Sequence, residues 1–236
     1  MKRKIISLGW GVRKEGRNIW TRNAVKGISV RKERRKKDGK NEWRIWDPTK
    51  SKIAASLLRT KFDPAKIIPQ PGNDCLYLGS STGGTVSHIH DCVCGSGNHH
   101  KGQIIAVDIS SRMMRELVKL SEIRPGIVPV LADARDIAQI SPFIYKKVDW
   151  IHQDLSISDQ AKTFVKIAES FLKNNGIGLL SLKGASERAA DGSLEIKFEK
   201  AEEILMNSNL NVIEKIDLKG LEEQHVLFYC KMKYID

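Results

Sequence analysis

The chemically capable side chains of this sequence cluster just past its apolar runs. Cys75–Leu78 is followed by GSSTGGT, so every position from Gly79 to Thr85 is small or hydroxylated. Glycines there let a ligand approach the backbone closely, and free N–H groups where a helix opens near Thr85 favour an anionic or carboxylate-bearing group. Gly79, Gly84 and Thr85 are therefore candidate ligand contacts. Three acidic residues follow in the same relation to later apolar runs. Asp108, with Ile109 after it, ends QIIAVD at the spacing where a carboxylate accepts ribose hydroxyls. Asp133, followed by Ala134, comes after IVPVL, where an acid can meet an adenine amino group. Asp154 follows VDWIHQ. Carboxylates at successive strand ends face one crevice in an open α/β sheet, and together they imply a nucleoside-bearing ligand.

A second constellation is His88, His90, Cys92, Cys94, His99 and His100, crowded into thirteen residues. These are zinc-competent types, and Cys92, Cys94, His99 and His100 could close a tetrahedral site. Their spacing matches no standard finger, so the expectation is a polar, flexible loop without metal.

The elements that must position these groups read as alternating strands and helices from Cys75 onward: strands at 103–108, 127–131, 148–151 and 177–182, and helices at 85–93, 111–123 and 159–173, with Ser110 or Ser111 and Ser158 as N-caps. That is a parallel α/β sheet. The rhythm breaks after a helix at 194–206, because only seven residues separate NVIEKID from HVLFYCK. A parallel crossover needs about ten to twelve or more, so these two strands must run antiparallel. A Rossmann-like seven-stranded sheet whose last strand pair is antiparallel is the class I S-adenosylmethionine-dependent methyltransferase layout. Ahead of it, ISLGW, NIWTR, ISVRK and EWRIW read as short strands with turns such as 33–40 between them, and 51–61 as a helix with Lys52 at its start. The expected division is a small, basic, β-rich N-terminal domain over 1–50 and a methyltransferase domain over 51–236.

Charge is segregated along the same boundary. Residues 1–62 hold 20 Lys and Arg against 5 Asp and Glu, whereas 63–236 hold 20 against 23. A basic appendage on a near-neutral body points to a polyanion, nucleic acid first. Four of the five tryptophans share the basic segment, where core packing is the expected role for most. No apolar run reaches the roughly 18 residues of a membrane span, and no secretory signal is evident. Four cysteines make no disulfide scaffold, so a reducing, cytoplasmic setting is expected, or a nucleolar one in a eukaryote.

LYLGSSTGGTVSHIHD, IIAVDISSRMMRELVKLSEIRPGIVPVLADAR, KKVDWIHQDLSISDQA, SLKGAS and QHVLF, preceded by EWRIWDPTKSKIAASLL, are similar in order to the motifs of archaeal fibrillarin-like methyltransferases. The resemblance runs from about Ala24 to Cys230. It implies 2′-O-methylation of rRNA or tRNA ribose from S-adenosylmethionine, directed by a box C/D guide RNA. The implied partners are a Nop-domain scaffold protein and a kink-turn-binding protein. It also implies a catalytic set of Lys52, Asp154, Lys183 and His225. Because a ribose hydroxyl is a poor nucleophile, the expected roles are Lys183 acting on the 2′-hydroxyl, Asp154 orienting it, and Lys52 and His225 positioning ribose or phosphate. This sequence departs from the pattern at Gly84, where a second threonine is usual, at Asp108 in place of glutamate, at Ile157 in place of glutamine, and at Gly184-Ala185, where the neighbourhood is usually more basic. A stand-alone ribose methyltransferase and an inactive RNA-binding subunit are the alternative readings.

Overall fold

The computed structural model describes residues 4–188 and 192–234, and within them two sheets. The first is antiparallel and built from β1 (Ile5–Gly9), β2 (Val12–Glu15), β3 (Asn18–Arg22), β4 (Arg35–Asp38) and β5 (Asn41–Trp46), ordered β1-β2-β3-β5-β4. The sequence expectation differs here in two places. ISVRK is a loop, because the Glu33 carboxylate takes the N–H groups of Val30 and Arg31 at 3.0 and 2.6 Å and folds the segment onto itself. The stretch expected as a turn instead supplies β4, an all-charged edge strand of the kind that discourages further pairing. Trp20 and Trp46 are buried as core, while Trp10 remains about half exposed.

The second sheet contains β6 (Asp74–Leu78), β7 (Gln103–Asp108), β8 (Ile127–Leu131), β9 (Val148–Gln153), β10 (Leu172–Lys183), β11 (Leu210–Asp217) and β12 (His225–Met232), ordered β11-β12-β10-β9-β6-β7-β8. Strands β6 to β10 pair parallel, and β12 inserts antiparallel between β10 and β11, as the short connection requires. Pro129 is tolerated in β8 because that strand lies at the edge.

Successive residues of the sheet alternate between two cores, since both faces are covered. Cys75, Tyr77, Ile104, Ala106, Leu227 and Tyr229 pack with α1 (Lys52–Arg59), α2 (Gly84–Val93), α3 (Ser111–Ile123) and the N-terminal sheet. Leu76, Leu78, Ile105, Val107, Val226 and Phe228 pack with α4 (Ile137–Ile140), α5 (Gln160–Phe171) and α6 (Leu194–Met206). Ser51 and Ser110 cap α1 and α3. The cap of α5 is not Ser158: Asp159 holds the position, and the Glu187 carboxylate accepts the Asp159 and Gln160 N–H groups at 2.8 and 3.0 Å. Helix α5 also stops at Phe171, after which a register shift between Leu172 and Ile177 lets β10 begin earlier than its apolar run implies.

The His/Cys stretch divides: its first half continues the helix expected at 85–93, while Ser96–Asn98 forms a short 3₁₀ turn that leaves His99 exposed. Residues 88–93 are buried in α2, and among the described residues no group of three or more His, Cys, Asp or Glu is arranged to hold a metal. Asp91 is the reason for the burial. Its carboxylate takes Arg44 Nε at 2.6 Å, an Arg124 guanidinium N–H at 2.7 Å, the Thr21 hydroxyl at 2.9 Å and Ala24 N–H at 3.0 Å. Burial alone would raise the Asp91 carboxyl, but the two guanidiniums overcome it and hold the group well below the usual carboxylate range. His88 stacks on Trp46 and bonds Thr21, while His90 meets Arg124 at 3.1 Å. This network rivets the small sheet to α2.

Candidate active site

Strand order reverses direction at β6, whose neighbours are β7 on one side and β9 on the other, and ligands of open α/β sheets bind at such a point. Two features meet there. Gly79, with φ +80°, has no room for a side chain: a Cβ would overlap the Asp154 carbonyl oxygen. The turn after it is pinned to β7 by Gly79 N–H and Ser80 N–H, both donating to Val107 O, and the Asp154 N–H is pinned to Leu78 O at 2.9 Å. Glycine at 79 is thus what allows the ends of β6 and β9 to close on one another.

Two clefts open from this junction and share Gly79, Ser81 and Asp154. One, of about 310 Å³, runs along the ends of β7 and β8 and contains Asp108, Ile109, Asp133, Ala134 and Ile157. The Asp108 carboxylate accepts Ser81 N–H at 2.7 Å and Ser110 N–H at 2.9 Å, which fix its direction and leave lone pairs for hydroxyl donors. Ile109, 66% exposed, faces solvent with a bare apolar surface beside the small Ala132 and Ala134. A carboxylate flanked by such a slot fits a nucleoside: hydroxyls to Asp108, a flat ring against Ile109 and Ile157. Asp133 is less free than its position implied, because Arg135 grips it from 2.6 to 3.1 Å and holds its carboxyl below the ordinary value.

The other cleft, of about 390 Å³, lies between the two sheets and is lined by Lys52, Tyr77, Gly84, Thr85 and Asp154 with residues of the N-terminal sheet and its loops, including Arg31 and Lys32. Lys52 Nζ and Asp154 Oδ2 are 3.1 Å apart, with both side chains largely buried. Ser51, which caps α1, is bonded by the Thr85 hydroxyl at 3.1 Å, so the start of α1 is docked on the glycine turn and Lys52 is aimed by that docking. Below the pair, His152 is wholly buried, bonded through Nε2 to Ser181 and held neutral by burial, which takes its imidazole down to about 4.

Lys183 and His225 occupy the same end of the sheet as cross-strand partners of β10 and β12. They line neither cleft, and they form no hydrogen bond or ion pair with Lys52 or Asp154. Lys183 is nonetheless held firmly. The Gln160 side-chain amide accepts its backbone N–H at 3.0 Å and donates to its carbonyl at 3.0 Å, and Gln160 is itself fully buried and bonded by Glu187. Sequence reasoning did not find the parts played by Gln160, Glu187, Ser51 and Arg31. For Gln160 a signal existed, a glutamine at the first turn of a helix facing a strand end; for the others, only the fold brings them in.

Relatives of this chain carry the comparison further. The fibrillarin family profile matches residues 8–234. A fibrillarin-like rRNA/tRNA 2′-O-methyltransferase of Methanocaldococcus jannaschii is 34% identical over 224 residues, spanning 94% of this chain and 90% of that protein. Among solved structures, Aeropyrum pernix fibrillarin in complex with natively bound S-adenosyl-L-methionine superposes with a TM-score of 0.79 at 28% identity, covering 97% of this chain and 99% of that one. A fibrillarin/Nop5p complex matches with a TM-score of 0.80 at 27% identity, covering 97% and 100%. At that length and identity, over sheet and clefts alike, the chain belongs to the fibrillarin family.

Proposed function

We propose that this protein transfers a methyl group from S-adenosylmethionine to the ribose 2′-oxygen of rRNA or tRNA, as the catalytic subunit of a box C/D ribonucleoprotein. The observation that carries this reading is the Lys52–Asp154 pair, set where a nucleoside-shaped crevice and a broader basic cleft open from one glycine turn. In the crevice, Asp108 takes ribose hydroxyls, and Asp133, Ala134, Ile109 and Ile157 border the base. Gly79, Gly84 and Thr85 face the remaining, amino-acid end. When bound, the cofactor supplies a methyl group on a positively charged sulfur.

A ribose hydroxyl is a weak nucleophile at neutral pH, so the protein must help it share its proton as the carbon–oxygen bond forms. Lys183, whose backbone Gln160 fixes at the end of β10, holds the 2′-hydroxyl and shares that proton. Asp154 orients the hydroxyl, with Lys52 holding the carboxylate in place, and His225 beside Lys183 steadies ribose or phosphate. The basic N-terminal sheet adds positive potential for RNA. The guide RNA, a Nop-domain scaffold and a kink-turn-binding protein are the partners this activity requires.

The test is transfer of labelled methyl from S-adenosylmethionine to a target RNA, with and without the assembled guide complex, followed by mapping of the modified ribose. Label on one guide-specified 2′-oxygen, lost in Lys183→Ala, is the expected result. Label without a guide would make the protein a stand-alone enzyme. No label, with assembly demonstrated, would leave an RNA-binding subunit.

A further inference from the structure

Arg31 lies in the loop between β3 and β4, yet its guanidinium is packed on the bare Cα of Gly84 at the start of α2. A Cβ at Gly84 would stand 2.9 Å from Arg31 Nε and 3.2 Å from Cζ. The guanidinium also donates to the Thr82 hydroxyl in the same turn. The position is held from behind. Arg31 N–H is bonded by Glu33, Glu33 accepts the fully buried Arg44 at 2.9 Å, and Arg44 is bound to Asp91 of α2. A four-residue relay therefore fastens this loop to the helix it overhangs.

Electrostatically the arrangement is incomplete. The amino end of α2 carries the partial positive charge of its unsatisfied N–H groups, and its N-cap, Gly83, offers no side chain to satisfy them. A guanidinium laid against that end adds a full positive charge, and among the described residues its side chain has a neutral hydroxyl as partner and no carboxylate. Two positive groups converging on a cleft call for an anion between them. A planar guanidinium fits a carboxylate with two parallel hydrogen bonds.

We propose that Arg31 binds the α-carboxylate of the cofactor's methionine moiety, a contact supplied by the N-terminal sheet across the interdomain cleft and made possible by glycine at position 84. The inference rests on the cofactor reading above, and ligands with and without the carboxylate separate the two. S-adenosylhomocysteine and 5′-methylthioadenosine share the adenosine and the sulfur, and only the first carries the carboxylate. Calorimetric titration of wild-type protein, Arg31→Ala and Arg31→Lys with both ligands is the experiment. Arg31→Ala should weaken S-adenosylhomocysteine roughly tenfold and leave 5′-methylthioadenosine unchanged, with Arg31→Lys recovering only part of the loss. Equal loss for both ligands, or loss for neither, overturns the proposal. Unchanged S-adenosylhomocysteine binding with weakened RNA binding in Arg31→Ala would overturn it too and make Arg31 a phosphate contact. A wild-type protein that bound neither ligand would remove the cofactor reading itself.

Discussion

Replacing Asp91 by alanine should destabilise the protein by about 3–5 kcal/mol, the usual result of stripping the partner from a buried charge. The Arg44, Asp91 and Arg124 side chains are all fully buried. Without the carboxylate, Arg44 keeps Glu33 at 2.9 Å, but Arg124 keeps only neutral partners: His90, the Asn23 side-chain oxygen at 3.1 Å and a long bond to Ser87 O at 3.4 Å. An uncompensated guanidinium in that position is the largest part of the cost. Against a total stability of about 5–15 kcal/mol for a domain, such a change should be plain in urea unfolding as a lower midpoint at constant slope. The decisive arm is Asp91→Ala with Arg124→Met. Removing both charges leaves Arg44 paired with Glu33, so the double variant should be more stable than Asp91→Ala alone. Additive losses in that cycle, or an Asp91→Ala effect under about 1 kcal/mol, would refute the account of α2 as an electrostatic rivet.

Three other outcomes are expected. Lys183→Ala should lower kcat by about 10²–10⁴ with little change in cofactor affinity, measured by single-turnover methylation beside calorimetry. Gly79→Ala should lower the melting temperature and abolish cofactor binding in the same preparation, since the added methyl meets the Asp154 carbonyl and alanine is strained at φ +80°. His90 and His152, both lowered to about 4 by burial, should lend stability that is complete above about pH 6.5 and lost as pH falls toward 4, because the unfolded chain takes up those protons first. Denaturant midpoints across that range test it, and His152→Asn should flatten part of the slope.

The alternating strands, the antiparallel closing pair and the strand-end carboxylates were legible because they are written in local apolar runs and short connections. β4 was not, since a strand spelled Arg-Lys-Lys-Asp owes its pairing to β5 and not to its own composition. The helix over the first histidines and cysteines was legible but their burial was not, because nothing near them in the chain announces Arg44 and Arg124, which compensate Asp91 from 47 and 33 residues away. Lys52 and Asp154 were recognisable individually, but their pairing depends on Ser51 seating α1 against Thr85. Arg31 had no signal at all, being one cation in a strongly basic stretch.

The insertion of β12 between β10 and β11 also sets the order in which this protein can become active during synthesis. A nascent chain extended only as far as α6 has every residue of the glycine turn and of the Lys52–Asp154 pair, yet β10 is then an unpaired edge and Lys183 lacks the neighbour that flanks it in the finished sheet. Strand β12 must thread in last, pairing with β10 over seven consecutive positions from Ile177 to Lys183. Ribosome-bound intermediates should thus complete the Asp108 crevice before they complete the β10–β12 edge that carries Lys183 and His225, so that the proposed cofactor half of the site matures ahead of the proposed RNA half.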